Sequence, residues 1–277
     1  LTLTAADDNF DGVISGTGGL TLAGGTLGLS QAQRFSGRAT IDAGAALVMT
    51  GDATLSAAAP VTIDGTLDAT DTTGPLQLAG IDGAATGRLR LGTAGVVANN
   101  ADGRFDGIIS GEGGLTLLAG QQTLAGINSF TGAVAIARGA TLALADEGDI
   151  ASAAGVAADG TFDIVAANGP SVSIANLTGS GRVVLGETDL VVTEATGIFG
   201  GVIGGQGGFA IASGEQTLTG TNTYTGATEI AEGARLSLVG IGSIAASDRV
   251  IANGTLSLAG LTGGANLRAL VGSGAVE

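Results

Sequence analysis

The chain has 277 residues and a formal charge of −15, from 25 acidic side chains against ten basic ones, all of them arginine. Such a surface repels phosphate backbones and anionic membranes, and no basic stripe offsets it, which argues against nucleic acid as a partner. With no cysteine and no histidine, the chain has no disulfide framework, no thiolate metal site and no cysteine nucleophile, and it lacks the commonest metal ligand and general base.

Glycine contributes 52 residues and proline three, while aromatics make up 3% and charged residues 13%. The hydrophobic content is Ala, Val, Ile and Leu spread thinly, interrupted every few positions by glycine or a polar residue. No run approaches the roughly 18 apolar residues of a membrane-spanning helix, so the chain is expected to be soluble, or at least not to cross a membrane by helices. It opens LTLTAADDNF, without an initiator Met, a basic segment or an apolar segment. We expect that a secretion signal has been removed or that this is an excised piece of a longer protein.

Along the chain, FDGVISGTGGLTLAGG begins at Phe10, FDGIISGEGGLTLLAG at Phe105 and FGGVIGGQGGFAIASG at Phe199, giving periods of 95 and 94 residues. The same offsets recover RFSGRATIDAGAAL from Arg34, SFTGAVAIARGATL from Ser129 and TYTGATEIAEGARL from Thr223. They also recover VTIDGTL at Val61, VAADGTF at Val156 and VIANGTL at Val250, and the pattern is still running where the chain stops at GSGAVE. Within each long repeat a shorter spacing of 21 residues separates Gly44 from Gly65, Gly139 from Gly160 and Gly233 from Gly254. Short apolar alternations broken by glycine predict strands of three to five residues joined by tight turns, and few windows are free enough of glycine to form a helix.

These features predict an all-β solenoid whose coils of roughly 20 to 24 residues stack on one another, about four coils per long repeat. With neighbouring strands about 4.8 Å apart, some 12 to 13 coils would extend on the order of 60 Å. The whole of 1–277 is read as one solenoid segment, with long repeats at about 10–104, 105–198 and 199–277, the last incomplete. All eight aromatics fall where the repeat calls for something large and apolar. Phe10, Phe105 and Phe199 share one position; Phe35, Phe130 and Tyr224 share another; Phe162 aligns with Leu67 and Leu256; Phe209 aligns with Leu20 and Leu115. A stack of inward side chains accounts for them without a ligand.

Residues 220–238, GTNTYTGATEIAEGARLSL, resemble the autotransporter-associated β-strand repeat of bacterial type V secretion passenger domains, with its G-x-N-x-Y/F-T/S-G-x-T turn and following I-x-x-G-x-L strand. The preceding GGQGGFAIASGEQTLTG and its counterparts GTGGLTLAGG and GEGGLTLLAGQQTLAG resemble the glycine-rich lead-in of the same unit. The likeness recurs three times, strongly in repeats two and three. Repeat one departs, with SQAQRFSG in place of GINSFTG and GTNTYTG. The resemblance implies a right-handed parallel β-helix, exported across two membranes and displayed on the bacterial surface or released from it. A C-terminal translocator barrel, absent from this chain, would be its partner. Right-handed coiling also agrees with the general rule for parallel strand connections. Lack of cysteine suits such a route, since a disulfide would obstruct threading of an unfolded chain.

Each candidate site has a simpler structural reading. Thr217, Thr219, Thr221, Thr223 and Thr225 form a hydroxyl ladder that could present a binding face, but the other repeats do not keep it. We read it as strand and turn chemistry. Acids cluster at Asp7, Asp8 and Asp11, at Asp102 and Asp106, and at Asp146, Glu147 and Asp149. Paired carboxylates serve polysaccharide lyases and hydrolases, yet the third repeat has Thr196 and Gly200 at the corresponding places, so solvated loop charge is expected. GTGGL, GEGGL and GQGGF lack the aspartate of a calcium-binding β-roll and the Lys-Ser/Thr of a P-loop. Asn128, Asn168, Asn222 and Asn253 are expected in turns, where Asn tolerates left-handed geometry and can stack between coils. Arg88 and Arg182 share a repeat position and are expected to pair with acids across coils, at little gain.

No catalytic, cofactor-binding or metal-ligating residue is therefore assigned, no cofactor is expected, and the chain is not expected to be an enzyme. The expected function is a structural and adhesive surface module, a stalk or adhesin segment that contacts a host or abiotic surface, or itself, without inserting into a membrane. Two alternatives stay open: a carbohydrate-active β-helix enzyme, and a self-assembling filament or cell-aggregation module.

Overall fold

The computed structural model describes all 277 residues. It contains 37 short strands and no helix, hence none long and apolar enough to cross a membrane. Every described strand pair is parallel, and the chain winds through about 14 turns of a β-solenoid. It divides into two compact units, Leu1–Leu142 with Asp146–Ala153, and Ala143–Ala145 with Ala154–Glu277.

In the first unit each turn visits three faces. One face stacks Thr2–Leu3, Leu20–Leu22, Ala39–Ile41, Val61–Ile63 and Ile81–Asp82, and a bridge from Gly83 to Phe105 carries it on to Ala101–Phe105 and Gly120–Leu124. The second runs from Ala6–Phe10 through Gly25–Leu29, Ala46–Gly51, Thr66–Thr72, Arg88–Leu91 and Ile108–Gly111 to Ser129–Phe130. The third includes Leu76–Leu78, Val96–Ala98, Leu115–Leu117 and Val134–Ile136. The triplets LTL, VTI, LQL and VAI show why the chain folds this way. Their outer residues are buried and the middle one is half exposed, the period-two pattern of a strand with one face on a core.

Stacking these triplets builds continuous inward columns. Leu27, Leu47, Leu67, Leu89 and Ile109 lie directly opposite one another in successive turns, all buried. One coil cannot shield such residues, and its neighbours do. Each fully buried Leu or Ile contributes on the order of 1.5–3 kcal/mol.

The second unit repeats the plan. Val156–Ala158 and Leu177–Thr178 lead through a Gly179–Phe199 bridge to Ile198–Phe199, Glu215–Leu218, Arg235–Gly240 and Thr255–Leu261. Ser171–Ile174, Asp189–Val192, Phe209–Ile211, Thr228–Ile230 and Val250–Ala252 form another face, and Thr161–Ala167, Arg182–Val184 and Val202–Gly204 the remaining one.

The turns are shorter than the sequence spacing suggests. Partner residues are as few as 18 apart, as with Val172 and Leu190, and at most 22, as with Thr40 and Thr62. The 21-residue glycine spacing sampled the longer coils, so the expectation of 12 to 13 coils falls short. The long repeat is also not four coils. Four turns carry Leu27 to Ile109, and the repeat then crosses two further faces before reaching Gln122, the counterpart of Leu27. It thus advances four and two-thirds turns, and equivalent residues fall on different faces. Leu20–Leu22 and Leu115–Leu117 lie in different sheets, as do Thr161–Ala167 and Thr255–Leu261 in the second unit.

Seven of the eight aromatics are fully buried, as the repeat predicts. Phe10 is the exception, 44% exposed. It pairs with Leu29 on one side, and its strand Ala6–Phe10 is the last of its sheet.

Candidate functional site

Each long repeat has a corner where the chain leaves a face after Gly25–Leu29, Gly120–Leu124 or Glu215–Leu218. There the backbone departs from the sheet ladder and would leave polar groups unpaired, a costly arrangement away from water. Side-chain amides supply the missing partners. Buried Asn128 accepts from Ile109 N at 2.9 Å and donates to Gly126 O at 2.8 Å and Asp149 O at 3.0 Å. Asn222 repeats the arrangement, accepting from Ile203 N at 2.9 Å and donating to Gly220 O and Ser243 O. In repeat one, where the sequence departs from the motif, buried Gln33 takes this place, accepting from Ile14 N at 2.7 Å and donating to Gln31 O and Gly12 O.

A second buried amide precedes the first. Gln122 accepts from Ile81 N at 3.0 Å and donates to Ile81 O at 2.7 Å, reaching across two coils. Its counterpart Gln216 donates to Leu177 O and Gly197 O, but its Oε1 has no partner. In repeat one the position is Leu27.

Repeat three adds a buried polar chain at its own copy of this corner. Tyr224 OH lies 2.6 Å from Thr228 Oγ1, Thr228 donates to Ser247 Oγ at 3.0 Å, and Ser247 Oγ lies 2.9 Å from Gly226 O. The corresponding residues are Phe35, Ala39 and Ala58 in repeat one, and Phe130, Val134 and Ala153 in repeat two. Burial pushes the Tyr224 phenol well above its ordinary value, with the Thr228 hydrogen bond opposing.

The threonines at 217–225 alternate with buried Gln216, Leu218, Gly220, Asn222 and Tyr224, so their hydroxyls do face outward. Their run passes from the strand Glu215–Leu218 into the turn beyond it, so the five share no single strand. A different hydroxyl ladder exists that the sequence reading missed. Thr2, Thr21, Thr40 and Thr62 lie directly opposite one another in successive turns of one face, about 4.8 Å apart. Its signal is the middle residue of LTL at 1–3, LTL at 20–22, ATI at 39–41 and VTI at 61–63, visible at the coil period and not along one coil.

The acid clusters regroup. Arg104 bonds Asp106 at 2.7 Å and also Asp146, two coils away, joining members of two clusters. The Asp146 hydrogen bond is the main influence raising the Arg104 guanidinium above its ordinary value, against desolvation, with Asp106 adding to it. Asp102 is exposed and takes no part. Asp11 accepts from Ser30 Oγ at 2.7 Å, Asp8 accepts from Asn9 N, and Asp149 accepts from Ala151 N at 2.8 Å. Asp7, Asp8, Asn9 and Thr26 line a cavity of about 270 Å³. No group of three or more acids is gathered as a metal would require.

Two expectations are corrected. Arg88 does not pair with an acid. It donates to Ala85 O and Gly87 O, because its opposite neighbours are Thr66 and Ile108. Arg182 likewise faces Thr161 and Val202, whereas Arg90 stands opposite Asp68 and reaches it at 3.6 Å. Nor is any asparagine left-handed. Asp146, at φ 51°, is the one non-glycine residue with positive φ, and its counterparts Gly51 and Gly240 are glycines at φ 60° and 65°. Asn253 instead accepts from Ser273 N at 3.3 Å, and Asn168 is exposed.

The fold and its buried-amide corners define a three-faced parallel β-solenoid built from a degenerate long repeat. The Passenger-associated-transport-repeat family model matches residues 119–144 and 213–238, the segments that carry Gln122 with Asn128 and Gln216 with Asn222. The chain therefore carries autotransporter passenger repeats, and repeats and solenoid together fit an autotransporter passenger domain. No curated protein and no solved structure matches the chain.

Proposed function

We propose that this chain is a structural and adhesive module of a secreted, surface-displayed bacterial protein, with a translocator barrel elsewhere in that protein as its export partner. The observation that carries this reading is the passenger repeat, found twice on solenoid coils. Its distinctive side chains, Gln122, Asn128, Gln216 and Asn222, are consumed in holding coil to coil, so the repeat supplies length and surface. The outward column Thr2, Thr21, Thr40 and Thr62 is the part of that surface best suited to repeated weak contact. On this reading the chain acts by display and does no catalysis. In support, the acids that meet across coils are already engaged, Asp106 and Asp146 by Arg104.

The test is competition. Purified chain, its β-structure checked by circular dichroism, is added in excess to bacteria displaying the whole protein, and cell aggregation and surface attachment are scored. Inhibition is expected, and it should weaken when Thr21, Thr40 and Thr62 are replaced by Glu. Folded chain that leaves both behaviours unchanged would remove the adhesive part and leave a spacer.

A further inference from the structure

The chain contains two Asn-Gly pairs, Asn168–Gly169 and Asn253–Gly254, and the structure treats them differently. Glycine after asparagine offers an unhindered backbone nitrogen to the side-chain amide. Whether that nitrogen can reach the amide depends on what holds it. Asn168 follows the strand Thr161–Ala167, and both it and Gly169 are exposed. Gly169 has φ 96°, and a side chain built on it would meet open space. Neither the Gly169 N–H nor the Asn168 side chain takes part in a hydrogen bond, and the ladder resumes only at Ser171–Ile174.

Asn253–Gly254 sits in the opposite environment. The Gly254 N–H donates to Ile230 O at 3.0 Å, and the Asn253 N–H donates to the same oxygen at 2.9 Å. The Asn253 side-chain oxygen is held by Ser273 N at 3.3 Å. Gly254 is buried, pressed against the carbonyl oxygens of Ala231 and Ala234. Its nitrogen becomes available only if this turn opens locally.

We propose that Asn168 is a site of spontaneous covalent modification, converted in the folded protein to aspartate and isoaspartate, while the fold protects Asn253. The Gly169 backbone nitrogen, on losing its proton, attacks Asn168 Cγ. The new C–N bond closes a succinimide ring, and the side-chain nitrogen leaves as ammonia with the proton. Water then opens the ring at either carbonyl. One opening gives aspartate, and the other routes the backbone through the former side chain as isoaspartate. Water is the only co-reactant, and nothing is oxidised or reduced. The product adds one carboxylate to a chain already at −15. In the isoaspartate form it also lengthens the backbone just before Pro170, whose carbonyl receives Asp189 N at 3.0 Å. This inference is independent of the proposed adhesive role.

The experiment is to age the folded chain in mildly alkaline buffer at body temperature. Modification is then read by peptide mass spectrometry and by methyl transfer from a protein-isoaspartate methyltransferase. A parallel sample is aged in denaturant, and an Asn168→Gln variant accounts for signal elsewhere. In the folded sample Asn168 should convert on the order of tenfold faster than Asn253, the ratio that about 1.4 kcal/mol of protection sets. In denaturant the two should converge. Equal rates in the folded chain would overturn the proposal, as would an Asn168 that stays intact when folded but converts in denaturant.

Discussion

Asn128, Asn222 and Gln33 show how one repeat position can change residue and keep its task, each accepting one backbone N–H and returning bonds to nearby carbonyls. Sequence reading expected the asparagines to take left-handed backbone and to stack between coils; Asn128 and Asn222 do join coils, but through their side-chain amides, and neither is left-handed. Backbone conformation was expected to matter, whereas the side-chain amide does the pairing. Gln33 went unnoticed because matching by residue type cannot see that a longer amide reaches the same groups. Tyr224 is the residue whose chemistry most separates repeat three from the others, and it gives a pH prediction. Its folded-state value is raised above the ordinary phenol value of 10.0. The stability it contributes is therefore complete below about pH 10 and declines as pH rises beyond that, where the unfolded chain ionises first. Tyr224→Phe, the residue of repeats one and two, should cost about 1 kcal/mol at neutral pH by removing the Thr228 bond. Urea midpoints followed from neutral pH to above pH 10 should fall less for Tyr224→Phe than for the parent. Parallel pH profiles would show that another group governs the alkaline loss.

At the scale of the element, a strand here is only two to seven residues long, so the turns set the register. Gly120 opens the strand Gly120–Leu124 at φ 78°, and a side chain there would run into the Ala101 carbonyl oxygen of the coil below. Gly139 has a similar φ of 85° but faces open space. Gly139→Ala should therefore cost only the roughly 1–2 kcal/mol of the left-handed conformation. Gly120→Ala should cost clearly more, because two coils must also move apart. Urea unfolding of the two variants measures the difference, and equal losses would mean that the coils yield without resistance. The sequence made these turns legible through glycine spacing. It could not tell a glycine needed for conformation from one needed for clearance, since clearance depends on the coil below. The same limit explains Arg88, whose pairing depended on Thr66 and Ile108 standing opposite it.

At the scale of the whole molecule, the solenoid class and the burial of seven of the eight aromatics were legible from the internal matches, and the parallel strands from the family resemblance. Turn count was not, because it depends on coil lengths that vary from 18 to 22, and the column of stacked threonines shows only when residues are compared at those coil lengths. Since each turn rests mainly on its neighbours, damage should stay local. Phe105→Ala removes a fully buried ring and should cost about 3–5 kcal/mol. In hydrogen exchange followed by mass spectrometry, amides of Ile81–Asp82, Ala101–Phe105 and Gly120–Leu124 should lose protection, while Leu20–Leu22, several turns away in the same unit, should keep theirs. Uniform loss through the unit would reveal a single cooperative block.

The fractional turn count of the long repeat has a consequence for how such a chain can evolve. A duplicated unit of a whole number of turns would set each copy's surface directly above the last, so that a decorated stripe could grow straight along the stack. A unit of four and two-thirds turns works like a spiral staircase whose landings face a new wall at every flight. A mutation copied with the unit is carried onto a different face from the original. Any stripe that persisted along one wall through several copies would therefore be assembled from non-equivalent parts of the repeat. It has to be kept residue by residue, because copying the unit cannot extend it.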